Sequence, residues 1–158
     1  MKKLIMALAI VLSLSLVGCS SESEVKDIPI DEIKTVVNTE TLLPAQPVAE
    51  MPASEYYVFE SVKDKFSEGF TLKALMSTNL QDVFVLKANS ADDVESIKAA
   101  IEEYKNSSDF KMFADGYGNP DNINIAANSI LNSKGNYVYF IATADSAAVE
   151  AEILKMFE

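Results

Sequence analysis

One succession of elements is written twice in this chain, and it limits the fold more than any other feature. Phe70 to Thr78 reads as a strand, Asn79-Leu80-Gln81 as a turn and Asp82 to Ala88 as a second strand. Ser90, with Asp93 three residues on, is close to a capping box, and the helix it opens carries Val94, Ile97, Ile101 and Tyr104 on one stripe. The pattern then repeats. Ala126 to Asn132 is strand-like, Lys134-Gly135-Asn136 makes a tight turn, and Tyr137 to Thr143 is the strongest strand of the chain. Asp145 or Ser146 caps a last helix bearing Val149, Ile153 and Phe157. Sliding Phe84, Leu86 and Ala88 onto Val138, Phe140 and Ala142 superimposes the two copies. The expectation is an α+β domain: a four-stranded antiparallel sheet with the two helices on one face.

Strand alternation extends that expectation to the other face. If Phe84, Leu86, Val138 and Phe140 face the helices, then Val83, Val85, Tyr137, Tyr139 and Ile141 face away. Such a surface is too apolar to stay bare. Cover is expected from earlier in the chain. Pro29 and Asp31 open a helix with Ile30, Ile33 and Val37 on one stripe, ending near Thr41. Pro44, Pro47 and Pro52 punctuate a connector. Between Glu55 and Phe66, Tyr56, Phe59, Val62 and Phe66 keep helical spacing, although Tyr56 to Phe59 would also suit a buried strand. Ile33, Val37, Phe59 and Val62 are the expected cover, and a partner or ligand groove on that face is the alternative.

Lys2 and Lys3 precede an apolar run from Leu4 to Leu12 that continues to Val17 and ends at Gly18. A charged start, a short apolar core and a small residue make an export signal. The run carries two serines and is shorter than the roughly 20 apolar residues of a spanning helix. Cys19, the chain's one cysteine, follows directly. Leu16-Val17-Gly18-Cys19 resembles the lipobox of bacterial lipoproteins, which implies cleavage before Cys19 and acylation of its sulfur. One acyl chain holds weakly, at about 0.8 kcal/mol per buried methylene, so stable anchoring implies two chains. The chain then divides into a signal peptide (1–18), an acidic tether (19–27) and one domain (28–158). The expected location is the outer face of the cytoplasmic membrane, with the bilayer as a partner through Cys19.

Composition removes several function classes. Histidine is absent, which takes away the commonest general base and transition-metal ligand. With Cys19 acylated no disulfide can form, so packing alone stabilises the fold. The basic residues are all lysine, and the net charge is −11. Without a basic stripe or arginine forks, nucleic acid is not an expected partner. No glycine loop for phosphate, nucleophile elbow or cofactor motif is present. The adjacent acids Asp92-Asp93 and Glu102-Glu103 point in different directions on a helix and read as a solvated face.

With Asp115-Gly116-Tyr117-Gly118-Asn119-Pro120, Asn128-Ser129-Ile130-Leu131 and Lys134-Gly135-Asn136-Tyr137-Val138 in view, the chain resembles the small lipoproteins of domain of unknown function 4358, found mainly in clostridial Gram-positive bacteria. The resemblance implies a lipoprotein of consistent fold and supplies no catalytic residues.

The candidate sites are few. Asp115, Tyr117, Asn119, Asp121 and Asn122 set oxygens at alternate positions, as a calcium loop does, but tyrosine takes the third place and Ala126 the place of the bidentate glutamate. Turn formation explains the same residues. Tyr117, Asn119, Asp121, Tyr137 and Tyr139 are the expected partner- or ligand-binding residues, with no metal. The expected function is a non-enzymatic interaction or structural module for an unknown protein or small ligand. A solute- or peptide-capturing lipoprotein serving a transporter is the alternative. An enzyme built on Asp115, Tyr117 or Asp121 is a weaker third.

Overall fold

The computed structural model describes residues 25–76 and 78–158. The signal segment, Cys19 and the first part of the tether lie outside the described residues. The strands are β1 (Val48–Pro52), β2 (Phe66–Ala74), β3 (Asp82–Ala88), β4 (Ile130–Lys134) and β5 (Tyr137–Ala142). The α-helices are α1 (Ile30–Val37), α2 (Ala91–Asn106), α3 (Ser108–Ala114), α4 (Asp121–Ala127) and α5 (Ser146–Met156). A 3-10 helix, Tyr57–Lys65, kinked at Val62, leads into β2. The fold is α+β, with an antiparallel sheet in the order β1-β2-β3-β5-β4.

The sheet has five strands among the described residues, not the expected four. The added strand lies in the proline-punctuated connector. β1 is short, mostly exposed and ends in Pro52, features confined to sheet edges, where a missing N–H costs nothing. It therefore carries no alternation to read.

The repeated strands pair as their likeness predicts: Phe84 lies opposite Phe140 and Leu86 opposite Val138. The helices do not follow. α2 packs on the face of Phe84, Leu86, Val138 and Phe140, together with the 3-10 helix and Phe110 of α3. α5 packs on the opposite face with α1. The helices thus lie on both faces, a correction with a plain cause. β3 and β5 are apolar on both sides, so each side needs a helical layer. α1, at eight residues, is too short to cover one side alone. Ile33 and Val37 belong to that cover as expected, whereas Phe59 and Val62 pack with α2.

Two boundaries also differ. β2 begins at Phe66, as the 3-10 helix ends, and stops at Ala74. Ala126 is not in a strand: Asn119 accepts a hydrogen bond from the Asp121 N–H (3.0 Å), α4 runs to Ala127, and β4 starts at Ile130. Between β4 and β5 the two-residue turn Gly135-Asn136 has Gly135 at φ 54°, the glycine-first pattern of a II′ hairpin.

The last tether residues are part of the packed body. Asp27 pairs with Lys87 at 2.6 Å. The Tyr137 hydroxyl accepts from the Ile28 N–H (2.8 Å) and lies 2.7 Å from Asp27 Oδ1. Val25 packs at Gly135, where a Cβ would stand 3.0 Å from its side chain.

Candidate functional site: an amide-lined cleft at one end of the sheet

β3 and β5 are antiparallel, so the start of β3 and the end of β5 meet at one end of the sheet. Above that end lies a cleft of about 490 Å³, within the usual range for small-molecule sites. Its walls come from the segment before β1 (Pro44, Ala45), the turn before β3 (Asn79, Leu80, Gln81), the α3–α4 region (Asn119 to Asn128) and the residues after β5 (Thr143, Ala144).

Side-chain amides hold these walls together. Gln81, nearly fully buried, accepts from the Ala45 N–H (2.9 Å) and donates to the Ala45 carbonyl (3.1 Å). Asn122 is fully buried in the first turn of α4. It accepts from the Leu80 N–H (2.9 Å) and donates to the carbonyls of Thr78 (2.9 Å) and Tyr117 (3.1 Å). The loop reaches Thr78 because Gly118, at φ 71°, has no Cβ; one there would stand 2.9 Å from the Thr78 side chain. Asn119 donates to Asn79 Oδ1 at 3.3 Å.

What remains for a ligand is polar and, Asp121 apart, uncharged. Asn124 lines the cleft, and its side-chain amide makes no hydrogen bond to a described residue. Among the described residues Asp121 is the one charged member of the lining, and no lysine takes part. Thr143 is 1 % exposed, and its hydroxyl is buried without a partner among the described residues. An unmade hydrogen bond of that kind costs about 1–3 kcal/mol. The exposed amides can each donate and accept, which suits hydroxyl- or amide-bearing ligands rather than anions.

The structure divides the sequence-derived residues. Asn119 and Asp121 line the cleft. Tyr117 is exposed beside it, its ring 6.5 Å from that of Phe113, and contributes only its carbonyl to Asn122. Tyr137 and Tyr139 lie elsewhere, buried under α1 and α5. The Tyr139 hydroxyl donates to Glu150 (2.9 Å), and burial followed by that carboxylate raises its pKa. The face that carries both tyrosines is covered, so the groove considered there is not present among the described residues. Among the supposed calcium ligands Asn122 is turned inward and fully hydrogen-bonded, and Asp115 caps α3. No three acidic or sulfur side chains converge among the described residues.

A second polar cluster escaped the sequence reading. Lys73 on β2 pairs with the buried Asp82 at 2.6 Å. The Tyr104 hydroxyl donates to Asp82 Oδ2 (2.5 Å) and accepts from Lys73 (2.9 Å). The Lys73 ammonium also sits 5.2–5.5 Å from the ring centres of Tyr56, Phe84 and Tyr104. Burial and then the Asp82 carboxylate push the Tyr56 phenol up to about 12 and that of Tyr104 further in the same direction. A signal existed: alternation puts Asp82 on the face of Phe84 and Leu86, an acid inside a helix-covered layer. With Lys73, Asp82 and Tyr104 matched to one another, the cluster reads as a packing element.

Comparison with known proteins gives one match. The family described as "Domain of unknown function (DUF4358)" matches residues 47–143. The chain belongs to this family. The match spans the whole sheet and most of the cleft lining and leaves α1 and α5 outside. No curated protein and no solved structure matches.

Proposed function

We propose that this member of the DUF4358 family is a lipoprotein held on the outer face of the cytoplasmic membrane by acylated Cys19, and that it serves there as a non-enzymatic binding module. The proposed ligand is a neutral molecule rich in hydroxyl or amide groups, such as a saccharide, held in the amide-lined cleft. The observation that carries the reading is the lining itself: six of the described residues that wall the cleft carry side-chain amides, and none of the described wall residues is lysine. The anchor rests on Gly18-Cys19 behind a charged start and a short apolar run. Among the described residues no helix is long and apolar enough to cross a membrane.

Two experiments test this reading. A Cys19→Ser variant is expected to leave the membrane fraction; retention there refutes the anchor. Titration calorimetry with neutral oligosaccharides and uncharged peptides is expected to give heat that Asn124→Ala and Asn128→Ala both abolish while melting stays intact. Heat unchanged in both variants refutes the cleft. The volume of the cleft also favours a second reading, capture of a solute or short peptide for a transporter. Co-isolation of a permease with the lipidated chain separates the two.

A further inference from the structure

The docked tether fixes which end of the domain looks at the bilayer. Asp27 and Ile28 are bound to Lys87 and Tyr137, and Val25 packs at Gly135 in the β4–β5 turn. All of these lie at one end of the central strands, where Lys87 pairs with Tyr137. The cleft lies at the other, where Asp82 pairs with Ala142 and Thr143 follows.

We propose that the protein stands with its β4–β5 turn toward the membrane and its cleft away from it, so that the cleft takes its ligand from the outer side and not from the bilayer. This rests on the acylation of Cys19. The argument is one of lengths. Five residues separate Cys19 from Val25, and the six steps between them reach about 20–22 Å when fully extended. β5 with Thr143 spans roughly the same distance at about 3.4 Å per residue. Turning the cleft onto the bilayer would use the whole tether, run backward along the sheet, with no slack. The upright pose requires no stretch at all. A partner reaching the cleft is therefore water-borne or carried on material outside the membrane, which agrees with the side-chain amides in the lining.

The test places a small environment-sensitive fluorophore on Asn136→Cys or on Asn124→Cys in the full lipidated chain, where Cys19 is blocked by its acyl groups. Both positions are exposed. The proteins are reconstituted in phosphatidylcholine–phosphatidylglycerol vesicles containing spin-labelled lipid. The expected result is at least a two-fold stronger lipid quenching at 136 than at 124, and stronger quenching by aqueous iodide at 124. Equal lipid quenching, or stronger quenching at 124, overturns the orientation while leaving the anchor standing. Failure of the chain to float with the vesicles overturns the anchor itself, and the orientation with it. An Asp27→Ala, Tyr137→Phe double variant supplies the control: the contrast between the two probes is expected to shrink as the docked segment loosens, and an unchanged contrast shows that the docking does not set the pose.

Discussion

The two faces of the sheet are covered by layers of different chemistry. On the α2 side the interior is aromatic: Phe84 has the rings of Tyr56, Phe59, Tyr104 and Phe140 within 5.4–5.7 Å, tilted or edge-on. An ion pair is set among those rings. On the α1–α5 side the interior is mainly aliphatic, built from residues such as Ile33, Val37, Leu72, Val83, Val85, Ile141, Val149 and Ile153, with Phe70 and Phe157 among them. Its two tyrosines reach polar partners with their hydroxyls, Asp27 and Glu150. The contrast teaches where each layer is vulnerable. Aromatic packing concentrates stability in a few large, oriented side chains and one charge pair. Aliphatic packing spreads it over many small contacts, any one of which is replaceable at lower cost.

The sharpest way to break this comparison is Phe84→Ala. It should cost about 4 kcal/mol, a transfer loss plus a cavity that four neighbouring rings cannot close, measured by urea denaturation. A loss below about 2 kcal/mol would mean that the aromatic layer relaxes as freely as the aliphatic one. Next comes the charge pair. Lys73→Met should cost about 3 kcal/mol because it strands the buried Asp82, and the Lys73→Met, Asp82→Leu double variant should recover most of that loss. A double variant no more stable than the single one would assign the effect to volume rather than charge.

A third test uses pH. A phenol whose folded-state pKa is raised favours the folded chain while it stays protonated. That contribution is complete below pH 10, the ordinary tyrosine value, and fades as pH climbs toward about 12 for Tyr56. Melting temperature followed from pH 9 to 12 should therefore fall, and Tyr56→Phe should flatten the decline. A decline of equal slope would assign its cause to groups other than Tyr56. The smallest effect is expected across the sheet. Ile153→Val removes one methylene from the aliphatic layer and should cost about 1 kcal/mol by the same urea measurement. A value near that of Phe84→Ala would erase the distinction between the layers.

Much of the fold was legible because its strongest signals are local. β3 appears at its expected bounds, and β5 differs only in ending at Ala142 rather than Thr143. α2 and α5 follow Ser90 and Asp145 as expected. Ser90 does its work by donating to Asp93 at 2.6 Å, which with Lys65 holds that carboxyl below its usual range. What the sequence hid was decided by distant partners. β1 exists because β2 offers it an edge, with Val48 opposite Ala74 and Pro52 opposite Phe70. The side on which α5 packs depends on the gap that α1 leaves. The cleft was half visible: Asn119 and Asp121 stood out as a polar loop, but Gln81, Asn122 and Thr143 acquire meaning only when strand ends, turn and helix are brought together. Asn122 in particular looked like a ligand for a cation and is a brace that binds three backbone groups, two in the turn before β3 and one at Tyr117.

Asp82 matters for more than the charge it balances. A strand that is apolar on both sides offers no inside or outside by which a slipped pairing could be told from the correct one. β3 and β5 are of that kind, every residue of each being buried except Lys87. Sliding β3 by one position would carry the carboxylate through the sheet, out of reach of its ammonium and into a hydrocarbon environment that offers it nothing. Lys73 and Asp82 thus act as a key in a keyway: one buried polar tooth beside the apolar run Val83–Leu86 makes a neighbouring alignment costly.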